Sequence, residues 1–429
     1  MLSKSIKMKI INILFLFIPI SYIAGNLLIN LNILLLFMAG IFFYGKNLFK
    51  IDFILIDKLI FYLFALFLII CFYNYLDQNK LTSSDLKFIT TKTIFYFLYL
   101  LFYLILRYFI ENKIISMKFF FISCLFSCLF VCFDIFYQLI FDKDIFGYEA
   151  VNRKLSGPFG DEWIAGAYLQ KFAPIGFFAF PLIFNLSQKK KILFFLIISF
   201  LVVLAAMVLS GNRMPLILFL FVIFLLFIFE KKLRRYFFPL IFLSSAVIFL
   251  IYNSSEEIKT NLDSFVTYTK KLSTVITEEK IDRLQMPSHY AEFESFYDTW
   301  RMNKYTGGGI RSFRINCPNR SNIDQDERST CNTHPHNYYL EILTDLGLIG
   351  LLLVSLIFIA ILYKSFIGKY ILSSNKALRT NYLITPFLFL FIAEIFPIKS
   401  TGSFFTTFNS TYIFLVMAVI VSLLKQKKL

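Results

Sequence analysis

Lys189-Lys190-Lys191, an apolar run over 192–209, the turn Ser210-Gly211-Asn212-Arg213, a second apolar run over 214–229 and then Lys231-Lys232 form one stretch that decides the fold. A helix needs about 17–25 apolar residues to cross the hydrocarbon of a bilayer, and each run approaches or meets that length. Positive charge is retained on the cytoplasmic side. The two basic clusters therefore place both ends of this hairpin on one side and the Arg213 turn on the other.

The same reading extends along the chain. Apolar runs at 9–25, 27–44, 53–75, 91–110, 117–141, 163–186, 192–209, 214–229, 236–252, 345–363, 381–397 and 404–424 predict an all-α polytopic membrane protein of about twelve transmembrane helices. A composition of 58% hydrophobic and 19% aromatic residues, with a mean hydropathy of +0.70, is too apolar for a soluble protein of 429 residues. Lys and Arg cluster at every second boundary: Lys4, Lys7 and Lys9; Lys46 and Lys50; Arg107, Lys113 and Lys118; Lys189 to Lys191; Lys231, Lys232, Arg234 and Arg235; Lys364, Lys369, Lys376 and Arg379; Lys425, Lys427 and Lys428. The net charge of +16 thus reads as a topology signal and not as a nucleic-acid footprint. Both termini are expected in the cytoplasm, with helices one to nine in 1–252, one large periplasmic loop in 253–344, and the last three helices in 345–429. The first apolar run follows a basic head but has no small-residue cleavage site, so it is expected to be retained.

At the end of the polar segment stands Thr333-His334-Pro335-His336-Asn337-Tyr338-Tyr339-Leu340-Glu341, running on to Gly347-Leu348-Ile349-Gly350. Two of the three histidines thus sit at a water-membrane boundary. Imidazole titrates near neutrality and suits proton transfer. Pro335 is compatible with a helix start, so His336 reads equally as a helix-cap residue and as a base. Within the polar segment, Tyr290, Phe293, Phe296, Tyr297 and Trp300 recur at helical spacing and predict an amphipathic helix near the membrane plane. Gly307-Gly308-Gly309 then breaks it and permits a tight turn or close backbone approach.

Cations on the outer face run against the topology rule and call for a reason. They are Arg213 in its short turn, Arg311 and Arg314 after the triple glycine, and Arg153 with Lys154 before Ser156-Gly157-Pro158-Phe159-Gly160. Guanidinium groups bind phosphate oxygens in pairs and would suit a diphosphate; ordinary solvated charges are the competing reading. Cys317 and Cys331 lie in the outer segment, where an oxidising compartment permits a disulfide worth about 3 kcal/mol. A metal site from Cys317, Cys331, His334 and His336 competes, but it lacks the paired short spacings of structural zinc. Cys71, Cys124, Cys128 and Cys132 fall in apolar runs and read as core residues. Asp134, Lys171 and Glu394 are isolated ionisable groups within apolar runs, where a pathway role and an interhelical bond compete. They support a transporter or flippase alternative. No duplicated Gly/Pro interruption of the kind found in inverted-repeat carriers accompanies them.

This constellation resembles the O-antigen ligase and O-antigen polymerase superfamily, integral membrane glycosyltransferases that use undecaprenyl-diphosphate-linked glycans. Its ligases carry His, then Asn, Ser or Gln, nine residues, and Gly-x-x-Gly; His336, Asn337, Gly347 and Gly350 reproduce that spacing, with Leu353 where a small or β-branched residue is usual. Ser210-Gly211-Asn212-Arg213 is similar to the family's Ser-Gly-x-Arg turn, and Gly307-Gly308-Gly309 with Phe313-Arg314 to its Gly-x-Gly and Phe. Ser156 to Gly160 resembles a loop found in many members. Where the helix before the glycines commonly begins with arginine, this chain has His289, with Arg283 shortly before.

The resemblance implies metal-free transfer of a glycan from undecaprenyl diphosphate to an acceptor hydroxyl, with lipid A-core as the leading acceptor and no cofactor. A growing polymer or a protein hydroxyl is the alternative acceptor, and neither a nucleotide nor nucleic acid is required. It also implies an inner-membrane enzyme with a periplasmic active site. His336 would be the base and Arg213 with Arg311 or Arg314 the leaving-group clamp. Arg283, His289, Arg153, His334 and Asn337 would complete the binding site.

Overall fold

The computed structural model describes residues 3–76, 81–150, 155–184, 187–254, 288–320, 331, 336–372, 381–399 and 402–425, with isolated positions between 256 and 267. Its elements are α1 (Lys4–Leu16), α2 (Ile18–Ile23), α3 (Asn26–Tyr44), α4 (Leu55–Leu76), α5 (Ser83–Glu111), α6 (Met117–Phe141), α7 (Ala165–Phe177), α8 (Phe180–Ile183), α9 (Lys189–Leu209), α10 (Arg213–Phe229), α11 (Phe237–Tyr252), α12 (Ser288–Met302), α13 (Phe313–Asn316), α14 (Tyr338–Leu362), α15 (Ile384–Glu394) and α16 (Thr407–Lys425). An α-helix satisfies its backbone donors and acceptors internally, which is why apolar runs in lipid take this form.

Among the described residues, nine helices are long and apolar enough to cross a membrane. The other three expected crossings are shorter. Run 163–186 breaks into α7 and α8: Pro174 lies inside α7, the helix ends at Phe178, and Pro181 opens a single further turn. Proline removes an amide donor and crowds the preceding turn. In run 381–397, α15 stops at Glu394, three residues before Pro397. In run 214–229, α10 is bounded by the Gly211 turn and by Glu230.

Of the nine long spans α16 is the most enclosed: 83% of it is buried, against 6% for the span Arg234–Tyr252 at the periphery. Its main neighbour is α5, where Tyr99 stacks on Phe414 and Tyr96 meets Phe414 edge-on. Such aromatic pairs contribute about 0.5–1.5 kcal/mol beyond area burial. At the Lys425 end of α16, Arg107 pairs with Asp57 and Glu111, and Tyr103 donates to Asp57 at 2.6 Å. The opposite end, at Thr407, faces the head of α14. That end holds the residues that matter most.

Candidate functional site

The head of α14 is fastened along one face. Asn337, Glu341 and Asp345 recur every fourth residue and so share a side of the helix. Asn337 is the N-cap: its Oδ1 accepts from the amides of Tyr339 at 2.9 Å and Leu340 at 3.2 Å, two of the donors that a helix start leaves unpaired. Its Nδ2 donates to the carbonyls of Pro397 at 2.7 Å and Lys399 at 3.3 Å. One turn on, Glu341 accepts from the Ser403 hydroxyl at 2.5 Å and from the Phe404 amide. A further turn on, Asp345 accepts from the amides of Arg311 at 2.6 Å and Phe313 at 3.2 Å, and from the Ser312 hydroxyl at 3.1 Å. Asn337 and Glu341 hold the connection between α15 and α16, and Asp345 holds the segment after the triple glycine.

Two residues later the helix gives up its own geometry. Gly347 has φ +66° and ψ −168° inside α14, a backbone region essentially reserved for glycine. The interruption lets a second segment pair with it. Gly308 and Gly309 donate to the carbonyls of Thr344 at 3.2 Å and Asp345 at 2.8 Å, while Leu348 and Ile349 donate to Lys304 at 2.9 Å and Tyr305 at 3.1 Å. A Cβ on Gly347 would lie 2.3 Å from the Tyr305 carbonyl, and one on Gly307 2.3 Å from the Asp345 carbonyl carbon. The glycines of the two motifs therefore interlock, and the triple glycine serves close backbone approach.

A cavity of about 2470 Å³ opens at the head of α14, and His336, Asn337 and Arg213 all line it. Arg213 heads α10 and donates to the Ser264 hydroxyl. Its turn is seated on α7: Asn212 accepts from the Gly166 amide at 2.9 Å and donates to the Trp163 carbonyl at 2.9 Å. Pro158 to Gly160 of the 156–160 loop, with the following Asp161 and Glu162, form another wall. Arg311 and Arg314 do not line this cavity. Arg311 donates to the Phe405 carbonyl at 3.2 Å, and Arg314 lies 5.4 Å over the Phe88 ring.

Two buried cations that sequence reasoning treated separately or missed also line the cavity. Lys171 donates to Glu394 Oε2 at 2.6 Å, while Lys399 donates to Glu394 Oε1 at 2.8 Å and to the Tyr338 hydroxyl at 3.0 Å. Tyr338 in turn donates to Glu394 Oε1 at 2.5 Å. Lys171 and Lys399 line the cavity, and Glu394 stands behind them. Burial pushes the Lys399 ammonium below its ordinary range, while Glu394 pulls it back. Lys399 had a signal in the sequence: it is a lysine between two apolar runs, on the side where the charge rule places few. Asp134 stays apart, its Oδ1 accepting from the Ile145 amide at 2.8 Å.

Behind α14, the helix expected from the aromatic spacing is present as α12, and it packs on α14. Its Phe296 lies 4.1 Å from the Phe313 ring and shares a small core with Cys317. Cys317 and Cys331 are joined as a disulfide with Cα atoms 5.6 Å apart, so neither offers a thiolate to the alternative metal reading. Non-reducing peptide mapping should yield one linked pair, Cys317 with Cys331. The bridge closes a loop between residues 14 apart, so the Cys317→Ser/Cys331→Ser variant should lose about 3 kcal/mol. Two alkylatable thiols in protein from native membranes would contradict the bridge.

Arg153, Arg283 and His334 lie outside the described residues, as does the side chain of His289. Residues 194–355 match the family model for O-antigen ligase. That segment contains Arg213, the triple glycine, both bridged cysteines and the His336 to Gly350 motif. A comparison with curated proteins finds no match.

Proposed function

We propose, from the match of residues 194–355 to the family model for O-antigen ligase, that the chain transfers a glycan from undecaprenyl diphosphate to an acceptor hydroxyl, with lipid A-core as the leading acceptor. The observation that carries this reading is the shared cavity: an imidazole and a guanidinium from distant parts of the chain, His336 and Arg213, line one space in a helical membrane protein. His336 takes the proton of the acceptor hydroxyl as its oxygen attacks the anomeric carbon. The bond from that carbon to the donor phosphate oxygen breaks, and Arg213 balances the charge on the departing lipid diphosphate. The lipid donor carries its own activation, so the reaction requires neither nucleotide nor cofactor.

The remaining cations divide by place. Arg311 and Arg314, off the cavity, order the junction between the polar segment and α14. With both termini cytoplasmic and 253–344 outside, the cavity opens on the periplasmic side of the inner membrane.

Deletion of the gene followed by separation of surface lipopolysaccharide tests the reading. Loss of all capped chains with accumulation of lipid-linked polymer supports a ligase. Capping by single repeats supports a polymerase of the same machinery, and unchanged lipopolysaccharide leaves a protein acceptor. Arg213→Ala is expected to raise the KM for lipid-diphosphate donor and to slow turnover. Arg213→Lys should restore only part of both, because a point charge cannot reproduce a planar two-pronged donor. Full donor affinity and turnover in the Ala variant would move the leaving-group cation elsewhere.

A further inference from the structure

Two ammonium groups share a single carboxylate inside the cavity wall. Lys171 is 1% exposed, Lys399 5% and Glu394 1%. Both carboxylate oxygens of Glu394 are engaged, one by Lys171 and the other by Lys399 and Tyr338. The charges of the three groups sum to one positive unit in a buried place, and buried charge is unfavourable unless a counter-charge meets it. Both ammoniums are also held by rings, Lys171 at 4.2 Å from the Tyr412 centroid and Lys399 at 4.2 Å from that of Tyr338. Beside them, Gln170 lines the same cavity at 2% exposure, and its Nε2 has no hydrogen-bond partner among the described residues. The wall thus presents an excess cation and an unused amide donor to one space.

We propose that Lys171 and Lys399, set by Glu394, form an anion-binding pole of the cavity that receives the phosphate oxygens of a lipid-linked diphosphate, with Gln170 donating a further bond. This rests on the functional reading above and deepens it. The pole is anchored to the base by the backbone: Asn337, next to His336, donates to the Pro397 and Lys399 carbonyls. A phosphate at Lys399 is therefore held in fixed register with the imidazole. Glu394 keeps the two ammoniums together when the cavity holds no anion, and the phosphate competes with it for their protons when one is bound.

Binding of farnesyl diphosphate to the purified full chain in lipid nanodiscs tests the pole directly, with farnesol as the uncharged control and inorganic pyrophosphate as the headgroup alone. Lys399→Met is expected to weaken farnesyl diphosphate binding at least tenfold and leave farnesol unchanged. Glu394→Gln, which removes the competing carboxylate, should tighten binding several-fold, an effect opposite in sign to the loss of a merely structural ion pair. Pyrophosphate following the same order at lower affinity marks a site that reads the headgroup of a lipid; pyrophosphate binding as tightly as farnesyl diphosphate would overturn the lipid-linked ligand. Wild-type affinity in a folded Lys399→Met protein, or unchanged affinity in Glu394→Gln, would overturn the pole. If Lys399→Met does not fold, Glu394→Gln decides, and if neither folds, photocrosslinking of wild-type protein with a diazirine-bearing polyprenyl diphosphate decides. Labels near Gln170, Lys171 and Lys399 support the pole, whereas labels confined to other segments reject it. Loss of transfer in His336→Ala with intact binding in the lysine variants would sink this inference and leave the enzyme reading standing. The reverse pattern would spare the pole and remove the base.

Discussion

His336→Ala is expected to abolish measurable glycan transfer while the protein still inserts and folds. A positioned general base contributes about 100- to 10,000-fold. No other histidine is described at the cavity, whose lining includes His336. The cap of α14 is made by the Asn337 side chain and not by the imidazole, so the substitution keeps the cap. His336→Ala and Asn337→Ala therefore separate chemistry from architecture. The first should lower kcat with little change in Tm. The second should lower Tm as well, since a lost N-cap costs about 1 kcal/mol and the ties to Pro397 and Lys399 go with it. Transfer at the wild-type rate by well-expressed His336→Ala protein would remove this residue from the mechanism.

The largest effect on stability is expected at Gly347. Holding a residue with a side chain in that backbone region costs about 1–3 kcal/mol, and the added Cβ would lie 2.3 Å from the Tyr305 carbonyl. Carbonyl and helix cannot both stay in place. The four main-chain bonds that join 304–309 to 344–349 contribute about 1 kcal/mol each. Gly347→Ala should therefore destabilise the protein by at least about 3 kcal/mol and lower both its yield and its Tm in detergent. A Tm within a degree or two of wild type would show that the junction re-forms at no cost. Gly25 makes a control: its φ is also positive, yet nothing lies within 4 Å of its Cβ position, so Gly25→Ala should cost only its backbone strain.

Much of this architecture is legible in residue order, for identifiable reasons. Run 192–209 became α9 and run 117–141 became α6 because length and hydropathy are local properties. The cap falls one residue later than the sequence suggests: His336 reads as the cap residue, whereas the Asn337 side chain caps α14. Local pattern carries less where proline and glycine interrupt it, so run 163–186 gives no sign of its break beyond Pro174 and Pro181. It carries least where partners are distant. Lys171 and Glu394 read as isolated charges because a sequence separation of 223 conceals their contact. Gly347 reads as part of a spacing motif, although its physical need arises from Tyr305. Arg311 and Arg314 share charge and surroundings with Arg213 in the sequence, and only packing divides them between junction and cavity.

The burial of α16 bears on how the protein is made. It is the last described helix in chain order and the most enclosed of the nine long spans, so the ribosome delivers this buried span after its surroundings. Until then the earlier helices border a gap where α16 will lie, and Tyr96, Tyr99 and Phe64 face lipid or one another. Glu341 likewise waits for Ser403 and Phe404, the residues just ahead of that helix. Closure of the bundle and completion of the cavity rim are thus a single late event in biogenesis, and a nascent chain stalled before Thr407 would have a membrane anchor but no finished site.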